Sequence, residues 1–309
     1  MVHVHRQPAS HNNSVIMFVG KGGVGKTTCA AATALNYTSA GEQTLAISTD
    51  PTPSLLHIFE VDGQRESGKI LDYLHLRELG MPEVKEMWDK KFGREVYEVF
   101  SSLVSIDYAE FVDFITQVLP GLGDEFMVDY IRELHEENQY RKIIWDTAPL
   151  GQTLGLLQMP TMLGQHLKTA PRIYSKLKLG KESKKPILDI INDWEKLSDE
   201  DMSFLRHTVR FVMVTIPEAL AIRQLDAVFQ ELDNCGLRIE QLIINNVIKD
   251  ESSEFLLAKA EQQREYIKIL HDRYTDMKIV EVPMFPHEIK GMERLRSLGN
   301  YLTEILEES

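Results

Sequence analysis

A glycine-rich stretch near the start of this 309-residue chain carries residue types and spacing suited to binding phosphates. Residues 20–27, GKGGVGKT, satisfy the pattern G-x-x-x-x-G-K-[ST] and stand between a predicted strand and an Ala-rich predicted helix. Such glycines let successive backbone N–H groups face a β-phosphate, and the helix adds the partial positive charge of its amino end. Lys26 is predicted to bridge the β- and γ-phosphates, and the Thr27 hydroxyl to ligate Mg²⁺. The predicted nucleotide-binding segment comprises Gly20, Lys21, Gly22, Gly23, Val24, Gly25, Lys26, Thr27 and Thr28.

Two aspartates that follow apolar runs are predicted to complete a catalytic centre. Asp146 ends KIIWD, which suits an acid that reaches Mg²⁺ through water, and the Gly151 N–H in the next loop can sense a γ-phosphate. Asp50 leaves the carboxyl end of TLAIS, the edge at which open α/β sheets bind ligands. Pro51 restricts Asp50 to extended conformations, so its carboxylate is predicted to position the attacking water. The alternatives are a strand-end cap at Asp146 and a plain Asp-Pro turn at Asp50.

A parallel sheet is needed to bring these residues together, and the hydrophobic pattern predicts one. Short apolar runs alternate with long helical patterns, which is typical of such a sheet. Because the runs are continuously apolar rather than alternating, helices are expected on both faces. The predicted fold is therefore α/β, a mostly parallel P-loop NTPase core. The predicted strands are 15–19, 44–48, 142–146, 209–215, 241–246 and 278–282, with a weaker one at 70–76.

The same pattern predicts the domain organisation. Residues 1–14 are expected to be a flexible tail, and residues 15–309 a single P-loop ATPase domain. Two stretches, at about 77–135 and 156–205, are too long for simple crossovers and are predicted to form an inserted α-helical subdomain. The amphipathic stripe in the first stretch suits either the core of that subdomain or an exposed groove for a client. The seven basic residues between Lys168 and Lys185 suit either a solvated face or a contact for an acidic partner or lipid headgroups.

Composition excludes several classes of function. The formal net charge of −13 disfavours nucleic acid as a partner. Only two cysteines occur, Cys29 and Cys235, which argues against a disulfide framework or a structural zinc site and suits a reducing compartment. No apolar run approaches the length of a transmembrane helix, and the first residues lack the apolar core of a signal peptide. The predicted location is the cytoplasm.

Several further motifs together resemble one family. The chain is similar to the arsenite-pump-driving and tail-anchored-protein-targeting ATPases, members of the deviant-Walker branch of P-loop proteins. The similarity covers about residues 15–60, 119–165 and 209–306 and is weak in the helical insertions. It indicates a member with a single phosphate loop that prefers ATP. The motifs that carry it are KGGVGKTT, STDP, DTAPLGQTL, PEALAI, IINN and VPMFPHEIKGMERL.

The resemblance gives roles to residues that the patterns alone leave open. Lys21 on its own could pair locally or face solvent, but in this family the matching lysine crosses a dimer interface to the phosphates of the opposing subunit. The resemblance also implies that Asn245 recognises the adenine edge, with Asn246 as the alternative because neighbouring strand residues face opposite ways. The loop of Pro283, Met284 and Phe285 would pack over the base.

The chain departs from the family pattern at several positions, which limits the family properties that can be expected of it. Residues 252–266 hold no cysteine where many relatives have a zinc-binding C-x-x-C pair, so no zinc is expected. The arsenite-binding cysteines of pump subunits are absent as well. Pro53 and Ser54 replace a common His and Asn, and Gln152 and Gly155 replace a His and an Arg. The coupling between nucleotide and client could therefore differ.

The sequence as a whole predicts a Mg²⁺-dependent ATPase that hydrolyses ATP in a nucleotide-gated homodimer. Its expected client is a hydrophobic helix, in the first place that of a tail-anchored membrane protein, with a membrane receptor as a possible further partner. The alternatives are an ATP-gated holdase or scaffold for non-membrane clients, and a soluble ATPase partner of an arsenite-type anion transporter. A septum-positioning or partition ATPase fits less well, because the chain finishes with an acidic, core-like helical stripe.

Overall fold

The computed structural model describes residues 14–50, 54–61, 68–94, 97, 107–112, 122–149, 151, 153–155, 157–158, 161 and 187–303. All of the predicted strands and predicted site residues lie within these ranges. Residues 1–13, Pro51, Pro53, Gln152 and the basic run at 168–185 lie outside them.

The described residues form one eight-stranded sheet in the order β3-β4-β2-β5-β1-β6-β7-β8. All neighbouring strands run parallel except β3 and β4. The mostly parallel α/β fold predicted from the sequence is thus confirmed. The strands are β1 Ser14–Gly20, β2 Thr44–Ser48, β3 Gly68–Leu71, β4 Leu74–Glu78, β5 Lys142–Asp146, β6 Val209–Thr215, β7 Ile239–Val247 and β8 Lys278–Pro283.

Two strand predictions need correction. The single weak strand at 70–76 is instead an antiparallel hairpin of β3 and β4, with its turn at residues 72–73. Aspartate favours turns over strand interiors, and the Asp72 side chain is exposed there. Ser14, assigned to the flexible tail, begins β1, where its N–H donates to the carbonyl oxygen of Arg141.

Both faces of the sheet are buried, as the continuous apolar runs predicted. In β1, Val15 and Met17 belong to one hydrophobic core, whereas Ile16 and Phe18 belong to another on the opposite face. This division follows from the two-residue repeat of a strand.

Helices cover the two faces. On one face the small side chains of Ala30, Ala31 and Ala34 let α1 pack closely, and Asn36 of α1 donates to the Gly299 carbonyl oxygen of α8 at 2.7 Å. In the described ranges, no helix is long and apolar enough to cross a membrane. The helices are α1 Lys26–Ser39, α2 Leu55–Ile58, α3 Met81–Trp88, α4 Leu122–Glu136, α5 Ile187–His207, α6 Ala219–Asn234, α7 Glu254–Arg273 and α8 Gly291–Gly299.

The described parts of the two predicted insertions are largely helical. α3 continues into a π-helical segment at Asp89–Gly93, and this unit and α5 both pack near α4. Their side chains, including Trp88, Ile131 and Leu205, share one continuous core with the sheet residues Met17 and Trp145. Within the described residues, the helices of the two insertions therefore lie on the same face of the sheet.

Candidate active site

Three strand ends meet at one edge of the sheet and hold most of the predicted site residues. The order β2-β5-β1 makes these strands neighbours although they are distant in sequence. In register, Asp146 of β5 pairs with Phe18 of β1 and with Ser48 of β2. Because parallel strands end at the same edge, the phosphate loop, Asp50 and Asp146 lie together, as predicted.

Close packing explains two of the glycines in the phosphate loop. A Cβ on Gly20 would stand 2.3 Å from the carbonyl oxygen of Val214 in the neighbouring strand β6. Gly25 has φ +97°, and a Cβ there would lie 2.3 Å from Nδ2 of Asn245. Since any larger residue would displace the loop at both points, the curled conformation depends on glycine here.

Lys26 is buried within the curl of its own loop. Its Nζ donates to the carbonyl oxygen of Lys21 at 3.2 Å, and the residue is only 6% exposed. Burial lowers the pKa of Lys26, an effect that the nearby carboxylates of Asp146 and Asp50 oppose. The ammonium is therefore held inside the loop, where a bound phosphate would lie.

Asp146 is fully buried, and only one of its two carboxylate oxygens has a hydrogen-bond partner among the described residues. Its Oδ2 accepts a hydrogen bond from the Ser48 hydroxyl at 3.0 Å, whereas its buried Oδ1 has no hydrogen-bond partner among the described residues. Burial raises the pKa of Asp146 to about 6, although the hydroxyls of Thr27 and Ser48 and the ammonium of Lys26 oppose this shift. An unpaired buried carboxylate oxygen is costly unless a ligand or water completes it.

The oxygen atoms at this point fit a magnesium ion. Mg²⁺ prefers oxygen ligands and usually keeps several waters beside one or two protein groups and the substrate phosphates. The Thr27 hydroxyl and the unpaired Oδ1 of Asp146 supply oxygen atoms of this kind. Thr27 and, through water, Asp146 would hold the ion, and this assignment stays a prediction.

Asp50 follows β2 and is partly buried. Its backbone N–H donates to the Ser48 hydroxyl at 3.3 Å. Its carboxylate is close enough to Lys26 for its negative charge to raise the pKa of the ammonium. The residue is thus placed beside the loop, although its role toward water stays a prediction.

Two serines at the site were not predicted to have a role there. The Ser48 hydroxyl forms hydrogen bonds with the carboxylate of Asp146 and with the backbone N–H of Asp50. Ser54, at the start of α2, donates to the Thr27 hydroxyl at 3.4 Å. Ser48 belongs to the STDP motif, so its position two residues before Asp50 was the available signal. Ser54 was noted only as a departure from the family pattern.

Lys21 lies at the outer rim of the loop. Its side chain is exposed, and its ammonium forms no hydrogen bond or ion pair with the other described residues. Its backbone carbonyl oxygen accepts the hydrogen bond from Lys26. Gly151 is also exposed, and Pro149 lies just before it, 3.7 Å from the place that a Cβ on Gly22 would occupy.

The residues predicted to surround adenine lie at the ends of β7 and β8. Asn245 is buried against the phosphate loop, where its Nδ2 donates to the Val24 carbonyl oxygen at 2.8 Å, whereas Asn246 is exposed. Met284 is exposed, and its N–H donates to the carbonyl oxygen of Val247.

Pro283 ends β8, and Phe285 packs its ring edge-on against Tyr301 with 5.9 Å between the centroids. Pro283 and Phe285 are partly buried. The adenine contacts of this loop stay a prediction.

Metal-binding clusters of another kind are not found in the described parts of the chain, where no three His, Cys, Asp or Glu side chains group around a common point. Cys29 and Cys235 are both free thiols. Burial raises the pKa of Cys29 to about 12, so its thiolate is strongly disfavoured.

Comparisons with known proteins show which family the chain resembles along its length. The sequence model of the anion-transporting ATPase family matches residues 13–304. A putative arsenical pump-driving ATPase 2 of Aquifex aeolicus is 29% identical over 299 residues, which cover 93% of this chain and 98% of that protein. ATPase GET3A of Arabidopsis thaliana is 27% identical over 306 residues, with coverages of 91% and 81%. ATPase get3 of Neurospora crassa is 25% identical over 303 residues, with coverages of 92% and 89%. The match to the family model spans the helical insertions as well as the sheet.

Proposed function

Because this chain belongs to the anion-transporting ATPase family and is an ATPase, we propose that it works as a homodimer that closes on ATP and Mg²⁺ and binds a hydrophobic client helix. The observation that carries the ATP- and Mg²⁺-dependent part of the proposal is the arrangement at the sheet edge. There the buried Lys26 lies inside the phosphate loop, and the buried Asp146 is joined through Ser48 to Asp50.

In the proposed reaction, a water oxygen attacks the γ-phosphorus and the bond to the β–γ bridging oxygen breaks, which yields ADP and phosphate. Lys26 and the loop N–H groups bind the phosphates, while Asp50 orients the attacking water. Thr27 and Asp146 would hold Mg²⁺, which neutralises charge that develops on the phosphate oxygens. Asn245, Pro283, Met284 and Phe285 contribute the adenine site.

The exposed side chain of Lys21 supports the homodimer. It stands at the rim of a loop that already contains Lys26, so its charge is available to a nucleotide bound by a facing subunit. Exposed apolar side chains follow the carboxyl ends of the next three strands: Leu220 after β6, Phe255 and Leu257 after β7, and Met284 after β8. A facing subunit would remove this apolar surface from water.

Tail-anchored membrane proteins are the proposed clients, and the cytoplasm is the proposed location. The similarity to ATPases called GET3 supports this choice over a pump role. The whole sequence has only two cysteines, and Cys29 is buried with a raised pKa, so capture of arsenite by thiolates is disfavoured. An ATPase partner of an anion transporter is kept as the second candidate because a relative called an arsenical pump-driving ATPase is 29% identical.

Co-purification from cells tests the client. The Asp50→Asn variant should hydrolyse ATP slowly and retain the closed state, so with ATP it is expected to carry proteins that have a single transmembrane segment. Lys26→Ala, which should not hold the nucleotide, is the control and should carry far fewer. Recovery of soluble proteins alone would overturn the client proposal, and recovery of an integral anion transporter would favour the second candidate.

A further inference from the structure

One buried hydroxyl joins the two aspartates of the active site. Ser48 ends β2 and is fully buried. Its Oγ donates to Oδ2 of Asp146 at 3.0 Å and accepts the backbone N–H of Asp50 at 3.3 Å. A serine hydroxyl has one donor and two acceptor sites, so it makes both bonds at once.

The backbone of Ser48 is secured without that hydroxyl. Its carbonyl oxygen accepts the N–H of Leu79 at 2.8 Å, and the next residue, Thr49, donates its N–H to the Asp146 carbonyl oxygen at 3.0 Å. The Thr49 hydroxyl in turn receives the indole N–H of Trp145 at 3.0 Å. Main-chain and neighbouring bonds therefore hold the strand end in place, which leaves the Ser48 hydroxyl to act on the two aspartates.

The bond to Oδ2 decides which oxygen of Asp146 remains available. A carboxylate turns about its terminal torsion, which has a broad energy profile, unless a partner holds one oxygen. With Oδ2 bound by Ser48, the buried oxygen without a partner is Oδ1. Partners of this kind, which orient a metal-binding group without touching the metal, strongly affect metal affinity.

We propose that Ser48 is a positioning residue that presents Oδ1 of Asp146 to the metal site and fixes the start of the Asp50 loop with the same hydroxyl. Ser48 thereby couples the group that holds Mg²⁺ to the group that orients water. The proposal rests on the proposed function in taking Thr27 and Asp146 as the magnesium site.

Metal binding, measured apart from turnover, tests this role. The probe is Mn²⁺ with ADP, followed by the loss of the free-ion signal in electron paramagnetic resonance. Ser48→Ala is expected to weaken Mn²⁺ binding by about tenfold or more. Its affinity for ADP without metal should change by less than about threefold, because the phosphate loop is intact. Ser48→Thr keeps the hydroxyl and is expected to restore most of the Mn²⁺ affinity.

Thr44→Val is the matched control. Thr44 is also fully buried, at the opposite end of β2, and its hydroxyl donates to the Glu42 carbonyl oxygen at 2.9 Å. It should leave Mn²⁺ binding unchanged even if it lowers stability as much as Ser48→Ala does. Should Ser48→Ala fail to fold by circular dichroism, Ser48→Cys, a near-isosteric variant with a weak donor, takes its place.

The proposal fails if Ser48→Ala binds Mn²⁺ as tightly as the native chain, or if Thr44→Val weakens the binding equally. Failure of the proposed function looks different: the native chain itself would then bind no Mn²⁺ in the presence of ADP.

Discussion

Asn245 of β7 donates a hydrogen bond from Nδ2 to the carbonyl oxygen of Val24 in the phosphate loop, over 2.8 Å. The asparagine is buried, and the same nitrogen lies where a side chain on Gly25 would have to go. A strand more than 200 residues further along the chain therefore supports the loop directly. The side chain that the resemblance assigns to adenine also contacts the loop that binds phosphate.

Substitution of Asn245 should distinguish these two roles. Asn245→Ala removes a buried hydrogen bond worth about 1 kcal/mol and leaves the Val24 carbonyl without its partner. We expect the affinities for ATP and GTP, measured by calorimetry, both to fall about fivefold, since both nucleotides share the loop. The affinity for ATP should fall further, because the proposed contact with adenine is lost as well.

The control for this substitution is Asn246→Gly. Asn246 is exposed with φ 59°, a conformation that glycine adopts freely, so nucleotide affinity should not change. A loss of ATP affinity with GTP affinity unchanged would show that Asn245 acts on the base alone.

Mixed dimers test whether Lys21 acts across an interface. Lys21→Ala and Lys26→Ala are each expected to lose nearly all ATPase activity alone. In a mixed dimer, the site of the Lys21→Ala subunit keeps Lys26 and receives Lys21 from its partner, so partial activity should return. No recovery in mixtures shown by mass to contain mixed dimers would mean that Lys21 serves its own subunit.

Substitution of exposed apolar residues at the two ends of α7 tests which edge of the sheet meets the second subunit. Phe255 lies in the first turn of the helix, at the phosphate-loop edge, and is 69% exposed, whereas Ile269 lies near the other end and is 39% exposed. Phe255→Asp should weaken the ATP-dependent dimer at least several-fold in sedimentation experiments, because a charge would be buried at the interface. Ile269→Asp, on the same helix, should not. Equal effects of the two substitutions would argue against an interface at this edge.

A buried ion network joins α4 and α5 and should dominate the stability of this region. Arg132 donates from Nε to Asp201 at 2.7 Å and from another guanidinium nitrogen to Asp129 at 2.6 Å. Arg132→Met leaves the buried carboxylate of Asp201 without its cation, whereas Asp129 keeps its ion pair with Lys91. We therefore expect a loss of about 3 kcal/mol in the free energy of unfolding, measured with urea.

The exposed pair of Lys69 and Asp72 supplies the control for that measurement. Lys69→Met should cost less than about 0.5 kcal/mol, since the side chains of this pair are largely solvated. Addition of Asp201→Leu to Arg132→Met should recover part of the lost stability, because it removes the buried carboxylate that has lost its cation. If Arg132→Met and Lys69→Met cost the same, the network contributes little to folding.

Local features of the chain could be predicted from the sequence with good accuracy. The predicted strands at 44–48, 142–146 and 209–215 have the bounds observed for β2, β5 and β6. Continuous apolar runs of this length are themselves the property that a strand buried on both faces requires. The phosphate loop was similarly readable, because its glycines, lysine and threonine act within a few residues of one another. The hairpin at 68–78 was misread as one strand, since a single turn aspartate interrupted an otherwise apolar run.

Local sequence patterns therefore specify the strands, the P-loop and the chemical types of the residues at the strand ends. Which of those ends meet depends on long-range packing. The order β2-β5-β1 brings Ser48 against Asp146, and β7 places Asn245 under the phosphate loop. These contacts join residues 98 and 221 positions apart, and they depend on how crossovers and packing arrange the strands. No local pattern encodes that arrangement, because hydrophobic periodicity records only whether a segment is buried and not which segment lies beside it.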